Sequence, residues 1–316
     1  MEDLVPAWRS YGLIDTHITM AHRMMRHFCF WDGCMALSSN RLFISSILII
    51  ALAACGAPPT PLPTVSPTQG VIVLSPISTP AETSLNLPIH ADWQIQYSGE
   101  IELSLDVKVY NLDLFEVTPE DIASLHARGI YVMCYFSAGS WEDWRPDASL
   151  FPEEIIGNDY EGWPGEKWLD VRAINSLAPV MEARFSLAAE KGCDGVDPDN
   201  VNGFENETGF PISYADQLNY NLWLSETANR YGLDIGLKND LSQIHDLLPH
   251  FDWALNEECF TYSECELLLP FYEAGKPVFV IEYETTPVDF CQKANELGFN
   301  AIYKNWELDA YREVCP

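Results

Sequence analysis

From position 92 onward, short apolar runs rich in Val, Ile and Tyr alternate with longer amphipathic ones. The short runs carry the two-residue period of strands and the long ones the 3.6-residue period of helices. The pattern therefore predicts repeated βα units and a parallel sheet. Strands are expected at 107–112, 130–136, 168–171, 195–199, 234–238, 253–257, 278–283 and 301–305, and helices at 118–127, 176–190, 214–230, 241–248, 263–273 and 287–297. A further β-like run at 93–97 caps or precedes this series.

Local signals agree with the periods. Thr118-Pro119-Glu120-Asp121 reads as an N-cap followed by proline and two acids in the first helical turn. Gly129, Gly192, Gly232 and Gly298 each stand between a helical run and a strand, where a left-handed residue ends a helix. Eight βα repeats in the 225 residues of 92–316 imply an α/β fold, a single-domain (β/α)8 barrel of TIM type. A doubly wound sheet is the alternative, but neither G-x-G-x-x-G nor a P-loop follows any strand.

In such a barrel the chemistry lies at the C-terminal ends of the strands, and all eight expected ends are polar. Strand alternation puts Asp197 and Asp199 on one face, and Glu257 on the face of Leu255. Carboxylates from two strands are what glycoside hydrolysis requires, one to protonate the leaving oxygen and one to attack or to activate water. For each acid the plainer role is a salt bridge with Lys238, Lys304 or Arg172. The segment 135–168 reads as a long irregular insertion holding Trp141, Trp144, Trp163 and Trp168. Exposed indoles at a barrel mouth stack on sugars and attract ammonium groups, or they pack the loop down, as expected of Trp168.

The N-terminal part reads differently. Residues 42–54 form an apolar run too short to span a bilayer and of the length of a signal-peptide core, preceded by Arg41. It ends in Leu52-Ala53-Ala54-Cys55-Gly56, which resembles a bacterial lipobox with Cys55 as the lipid attachment site. Accordingly 1–34 is read as an upstream over-read of the start site, 35–54 as a lipoprotein signal peptide and 55–91 as a Pro/Thr/Ser-rich disordered tether. The expected location is exported and membrane-anchored, on the cell surface or in the periplasm.

Charge narrows the partners. Lys and Arg number 17 against 47 Asp and Glu, a formal charge of −30, and 92–316 carries −29 of it. Nucleic acid is excluded on that balance, and mean hydropathy near zero excludes a polytopic membrane protein. The acidic excess fits a solvated surface or a field that draws a cationic ligand. Of nine cysteines, six remain after Cys29, Cys34 and Cys55. An even number in an exported body favours disulfides; Cys259 with Cys265 and Cys291 with Cys315 are close enough, among fifteen possible pairings. No C-x-x-C or histidine cluster points to zinc, and the histidines read as structural.

The runs YNLDLF (110–115), CYFSAGSWEDWRPD (134–147), KGCDGVDPDNVNGF (191–204), GLKND (236–240), ALNEECF (254–260) and AIYKNWEL (301–308) together resemble glycoside hydrolase family 114, the endo-α-1,4-polygalactosaminidases. The resemblance extends over nearly all of 92–316. It implies a secreted endo-hydrolase of galactosamine-rich polysaccharide with Asp199 and Glu257 as its catalytic acids. Asp199 would be nucleophile or charge stabiliser and Glu257 the acid/base, in a retaining reaction, although the roles are open to reversal. Asp113, Tyr135, Trp141, Asp170, Asp197, Asn200, Lys238 and Glu282 would bind or orient sugar. The partner is a cationic galactosamine-containing polysaccharide, the protein a monomer, and no cofactor or metal is implied. Two alternatives are a non-catalytic polysaccharide-binding surface protein and a hydrolase of a different α-linked glycan.

Overall fold

The computed structural model describes residues 86–316. Segment 1–34, the signal region 35–54, Cys55 and the tether up to residue 85 lie outside the described residues. The chain runs β1 (Trp93–Gln96), β2 (Val109–Asp113), α1 (Pro119–His126) and β3 (Tyr131–Ser137), then a small insertion of β4 (Ser140–Glu142), β5 (Ile156–Asp159) and β6 (Glu166–Leu169). It continues through α2 (Ile174–Lys191), β7 (Gly195–Asp199), α3 (Tyr214–Arg230), β8 (Asp234–Lys238), α4 (Ile244–Leu247), β9 (Trp253–Glu257) and α5 (Leu269–Glu273). It ends with β10 (Val278–Glu282), α6 (Pro287–Leu297), β11 (Asn300–Tyr303) and β12 (Glu313–Val314).

The expected closed barrel is corrected to an open sheet. Nine strands lie in the order β1-β2-β3-β7-β8-β9-β10-β11-β12, parallel except for β12. The sheet goes 299° round and leaves its edges 9 Å apart. The C-terminal tail is the physical reason. Strand β12 pairs antiparallel with β11 and occupies the edge that β1 would need to complete a ladder. The gap is spanned without a ladder: Trp93 Nε1 donates to the Asn300 carbonyl at 3.0 Å, and Tyr97 N donates to the Leu308 carbonyl at 2.9 Å.

Strand membership also differs from expectation. The run at 168–171 does not enter the large sheet; its Trp168 and Leu169 end β6, in the antiparallel sheet β4-β6-β5. The 93–97 run supplies β1 instead, parallel to β2. A four-residue strand flanked by polar insertions carries no periodicity that tells one sheet from another. The α4 and α5 regions are short helices joined to 3-10 turns, where longer helices were expected.

Alternation divides the sheet's two faces. Outward residues such as Val132, Phe136, Val196, Ile235 and Val280 pack with Leu177, Met181, Phe185, Tyr220 and Leu224 of the helices. Inward ones, Trp93, Tyr131, Met133, Trp253, Leu255, Phe279 and Ile281, fill the concave side. Gly236 must lack a side chain, because a Cβ there would lie 2.1 Å from the Trp253 indole nitrogen. Gly192 and Gly298 end α2 and α6 in the left-handed conformation, and Thr118 and Ser213 cap α1 and α3 reciprocally with Asp121 and Asp216.

Disulfides join Cys134 to Cys193, Cys259 to Cys265 and Cys291 to Cys315. The last ties the tail bearing β12 to α6, and the first links β3 to the chain entering β7.

Candidate active site

Three adjacent strands end in functional side chains on the concave face: Asp199 on β7, Lys238 on β8 and Glu257 on β9. Each is followed by a non-glycine residue with positive φ: Asn200 at 62°, Asn239 at 57° and Glu258 at 63°. Left-handed backbone is disfavoured for such residues, and short polar side chains tolerate it best. The repeated turn drops the chain out of the sheet immediately beyond each side chain, leaving its head free at the rim. Gly139 permits the approach of the next loop, since a Cβ there would meet the Asn200 carbonyl at 1.8 Å.

Lys238 is buried between the two acids. Its ammonium lies 3.0 Å from Asp199 Oδ2 and 3.2 Å from Glu257 Oε2. Burial lowers its proton affinity, but the attractions of Asp199, Glu257 and Asp197 outweigh this, so it stays charged. Glu257 accepts from the Tyr283 hydroxyl at 2.5 Å and from Asn239 Nδ2 at 2.8 Å, while Asn239 Oδ1 accepts from Glu257 N at 2.9 Å. Burial pushes the Glu257 carboxyl up. Lys238, Tyr283 and Asn239 together more than reverse that and hold it below the usual carboxylate range.

The two aspartates of β7 differ in access. The Asp199 side chain is 18% exposed and that of Glu257 26%, whereas Asp197 is closed to solvent. Asp197 Oδ2 accepts from Asn111 Nδ2 at 2.8 Å and from the Tyr97 hydroxyl at 3.2 Å, and Oδ1 has no partner. Burial pushes this carboxyl up to about 6, against the pull of Lys238. Asp197 therefore lies beneath the site, while Asp199 and Glu257 open onto it.

Of the other residues expected at the site, Tyr135 and Asn200 join this group. The Tyr135 ring stacks on Tyr97 at 4.1 Å and stands 6.0 Å from the Lys238 ammonium. Asn200 N donates to Asp199 Oδ1 at 2.7 Å, and Asn200 Oδ1 accepts from Ser137. Four others are occupied elsewhere. Both Asp113 oxygens accept from Arg145, which also grips Glu142. Asp170 is bound by Arg172, and Trp141 donates to the Ala148 carbonyl. Glu282 is on the convex face, accepting from Phe260 N and from the Thr261 amide and hydroxyl.

The structure adds groups that the sequence reading passed over. Tyr283, next along from Glu282 and of opposite parity, is the donor to Glu257, and the half-exposed Trp306 stacks on it at 4.2 Å. Counting by twos from Phe279 and Ile281 would have found it. Tyr97, Asn111 and Asn239 are also missed; Asn239 follows directly from its place beside Lys238. Glu166, on β6, accepts from Ser140, and burial pushes its carboxyl up to about 7. Trp144 and Trp163 are exposed, while Trp168 is buried against Tyr160 at 4.7 Å.

The family model of glycoside-hydrolase family GH114 matches residues 76–316. A crystal structure of Ega3 from Aspergillus fumigatus in complex with galactosamine is 37% identical with a TM-score of 0.68, the match covering 72% of this chain and 96% of that one. The glycoside hydrolase domain of PelA from Pseudomonas aeruginosa is 13% identical with a TM-score of 0.57, over 71% of this chain and 98% of that one, a likeness of fold alone. No curated protein matches.

Proposed function

The chain belongs to glycoside-hydrolase family GH114, and on that premise we propose that Asp199 and Glu257 cut galactosamine-rich α-1,4-linked polysaccharide within the chain. The observation that carries the reading is two solvent-reaching carboxylates held to one buried ammonium. Asp199 attacks the anomeric carbon as the glycosidic bond breaks, and Glu257 gives its proton to the departing oxygen. Glu257 then takes a proton from water, whose oxygen displaces Asp199 and frees the sugar.

Two oxygens within 3.2 Å of one nitrogen are separated by at most twice that distance. Two acids that reach the same ammonium are compatible with the close pair of a retaining enzyme, whose carboxyl groups stand about 5–5.5 Å apart. The Lys238 ammonium, 3.0 Å from Asp199 Oδ2, places a positive charge beside the attacking carboxylate. The low proton affinity of Glu257 suits the second half of the cycle, where it acts as base, and confines the first half to acidic solution.

The substrate reading rests on the likeness to a galactosamine-bound relative and on charge. Protonated amines along the polymer meet a body of net charge −29, and the half-exposed Trp306 offers a ring to the sugars. The lipobox-like run at Cys55 supports anchoring of an exported monomer to a membrane by lipid, with 55–91 as tether.

A test of the substrate class mixes the protein with α-1,4-linked galactosamine polymer, its fully N-acetylated form and a neutral α-linked glucan. Reducing ends should appear fastest on the amine polymer and as a ladder of oligomers. Equal or faster cutting of the neutral glucan would refute this reading. Fatty-acid labelling that persists in Cys55→Ser would refute the anchor.

A further inference from the structure

The two oxygens of Glu257 are held from different directions. Oε2 takes Asn239 Nδ2 at 2.8 Å and the Lys238 ammonium it shares with Asp199, while Oε1 takes the Tyr283 hydroxyl at 2.5 Å. The order of the sheet repeats this along its rim. Asp199 ends β7, Lys238 ends β8 and Glu257 ends β9, then Tyr283 follows β10 and Trp306 follows β11. The line from the attacking acid through the proton donor therefore leads on to the Tyr283 and Trp306 rings.

Those rings lie face to face, with centroids 4.2 Å apart and planes at 16°. Tyr283 is 6% exposed and Trp306 48%, so the indole covers the phenol with one face and leaves the other to solvent. The turn that carries the indole is tied down. Leu308 is buried, its N–H donates to the Asn305 carbonyl at 3.0 Å, and its carbonyl accepts from Tyr97 N at 2.9 Å. A ring fixed in this way loses little freedom when the C–H face of a sugar stacks on it.

The charge beside the stack is of one sign. Glu258 follows Glu257 and is half-buried. Burial, then the charges of Glu282, Glu257 and Glu284, push its carboxyl up to about 7. Its charge bears in turn on the Tyr283 hydroxyl. A cation arriving here meets carboxylates that repel one another, and relieves them.

We propose that the free face of Trp306 is the subsite for the sugar on the leaving side of the cut, an α-linked amino sugar whose ammonium is drawn to the acids that follow β9 and β10. The same subsite takes an acceptor sugar once the leaving one has gone, so the protein also transfers glycosyl units to sugars. This rests on the reading of Asp199 as nucleophile and Glu257 as acid/base. The acceptor hydroxyl oxygen bonds to the anomeric carbon as the bond from that carbon to Asp199 breaks, the electron pair returning to the carboxylate. The hydroxyl proton passes to Glu257. Water does the same in hydrolysis, so the two outcomes share one intermediate and one base.

The test uses the full chain with the α-fluoride of an α-1,4-linked galactosamine trimer as donor, whose leaving group puts no sugar on Trp306, and methyl α-galactosaminide as acceptor. Without acceptor, fluoride release should not differ among wild type, Trp306→Ala and Trp306→Phe. With acceptor, the wild type should form the methyl tetramer beside free trimer. The ratio of tetramer to trimer should fall about tenfold in Trp306→Ala and stay near the wild-type value in Trp306→Phe, which keeps a ring. Damage to Glu257 slows water and acceptor alike and leaves that ratio in place, so the ratio reads the subsite and not the base. Trp306 is half-exposed, and both variants should melt near the wild type. An unchanged ratio in Trp306→Ala would overturn the proposal and leave the hydrolase reading standing. So would fluoride release by the wild type with no tetramer at any acceptor concentration. A wild type that releases no fluoride would sink the covalent reading of the reaction and the proposal with it.

Discussion

The Lys238 ammonium, itself shut away from solvent, lies 3.2 Å from Glu257 Oε2. A proton donor placed this way is held in its ionised form until the solution is acidic enough to protonate it. Activity should therefore decline as pH rises through the pKa of Glu257, below the ordinary carboxylate range. Lys238→Met removes the cation and raises the Glu257 pKa. The alkaline limb of the kcat/KM profile should move to higher pH, while the rate at the optimum falls with the loss of support for Asp199. A limb that stays in place would separate Glu257 from the proton-donating step.

Tyr283 and Glu282 are neighbours in sequence on opposite faces of the sheet, and they predict opposite phenotypes. Tyr283→Phe takes a hydroxyl from Glu257 and should lower kcat with little change in melting temperature. Glu282→Gln weakens the ties to Phe260 and Thr261. It should cost stability by about 1–3 kcal/mol and leave kcat/KM near the wild-type value. Steady-state kinetics and thermal melts on both variants check this.

Asp197 should control stability more than rate. Its carboxyl is pushed up to about 6 by burial, so the folded protein binds that proton more tightly than the unfolded chain does. The group therefore contributes stability below pH 3.8, and that contribution is lost as pH rises through about 6. Asp197→Asn is neutral throughout and retains an oxygen for Tyr97 and Asn111. Relative to wild type its melting temperature should increase between pH 4 and pH 7, while kcat falls far less than in Asp199→Asn. A difference in melting temperature that stays flat across this range would contradict the account.

Salt should discriminate among substrates. Screening shortens electrostatic reach from about 10 Å at 0.1 M to about 3 Å at 1 M. KM for a cationic galactosamine polymer should rise steeply over that range, and that for its N-acetylated form should barely change. Parallel slopes would show that the acidic surface serves solubility alone.

Much of this site is legible in the chain. The polar ends of β7, β8 and β9 mark Asp199, Lys238 and Glu257, because two-residue alternation within a strand is a local property. What alternation leaves open is which short runs share a sheet. The run at 168–171 and the run at 93–97 exchange places because their partners are chosen by tertiary pairing. Sheet closure is equally non-local, since it turns on the two-residue strand β12 reaching β11 first. The resemblance puts Glu282 at the site, where one step of parity selects Tyr283. It puts Asp113 there too, and a strand end says nothing of the Arg145 that occupies it.

Whether Asp199 and Glu257, bridged by Lys238, perform the hydrolysis is decided by the reducing ends released from α-1,4-linked galactosamine polymer by wild type, Asp199→Asn and Glu257→Gln, with polymer retention measured alongside. Release by the wild type is expected, with a loss of roughly a hundred- to ten-thousand-fold in each variant and polymer binding preserved in both. Either variant cutting within about tenfold of the wild-type rate, less than acid–base catalysis supplies, would contradict it.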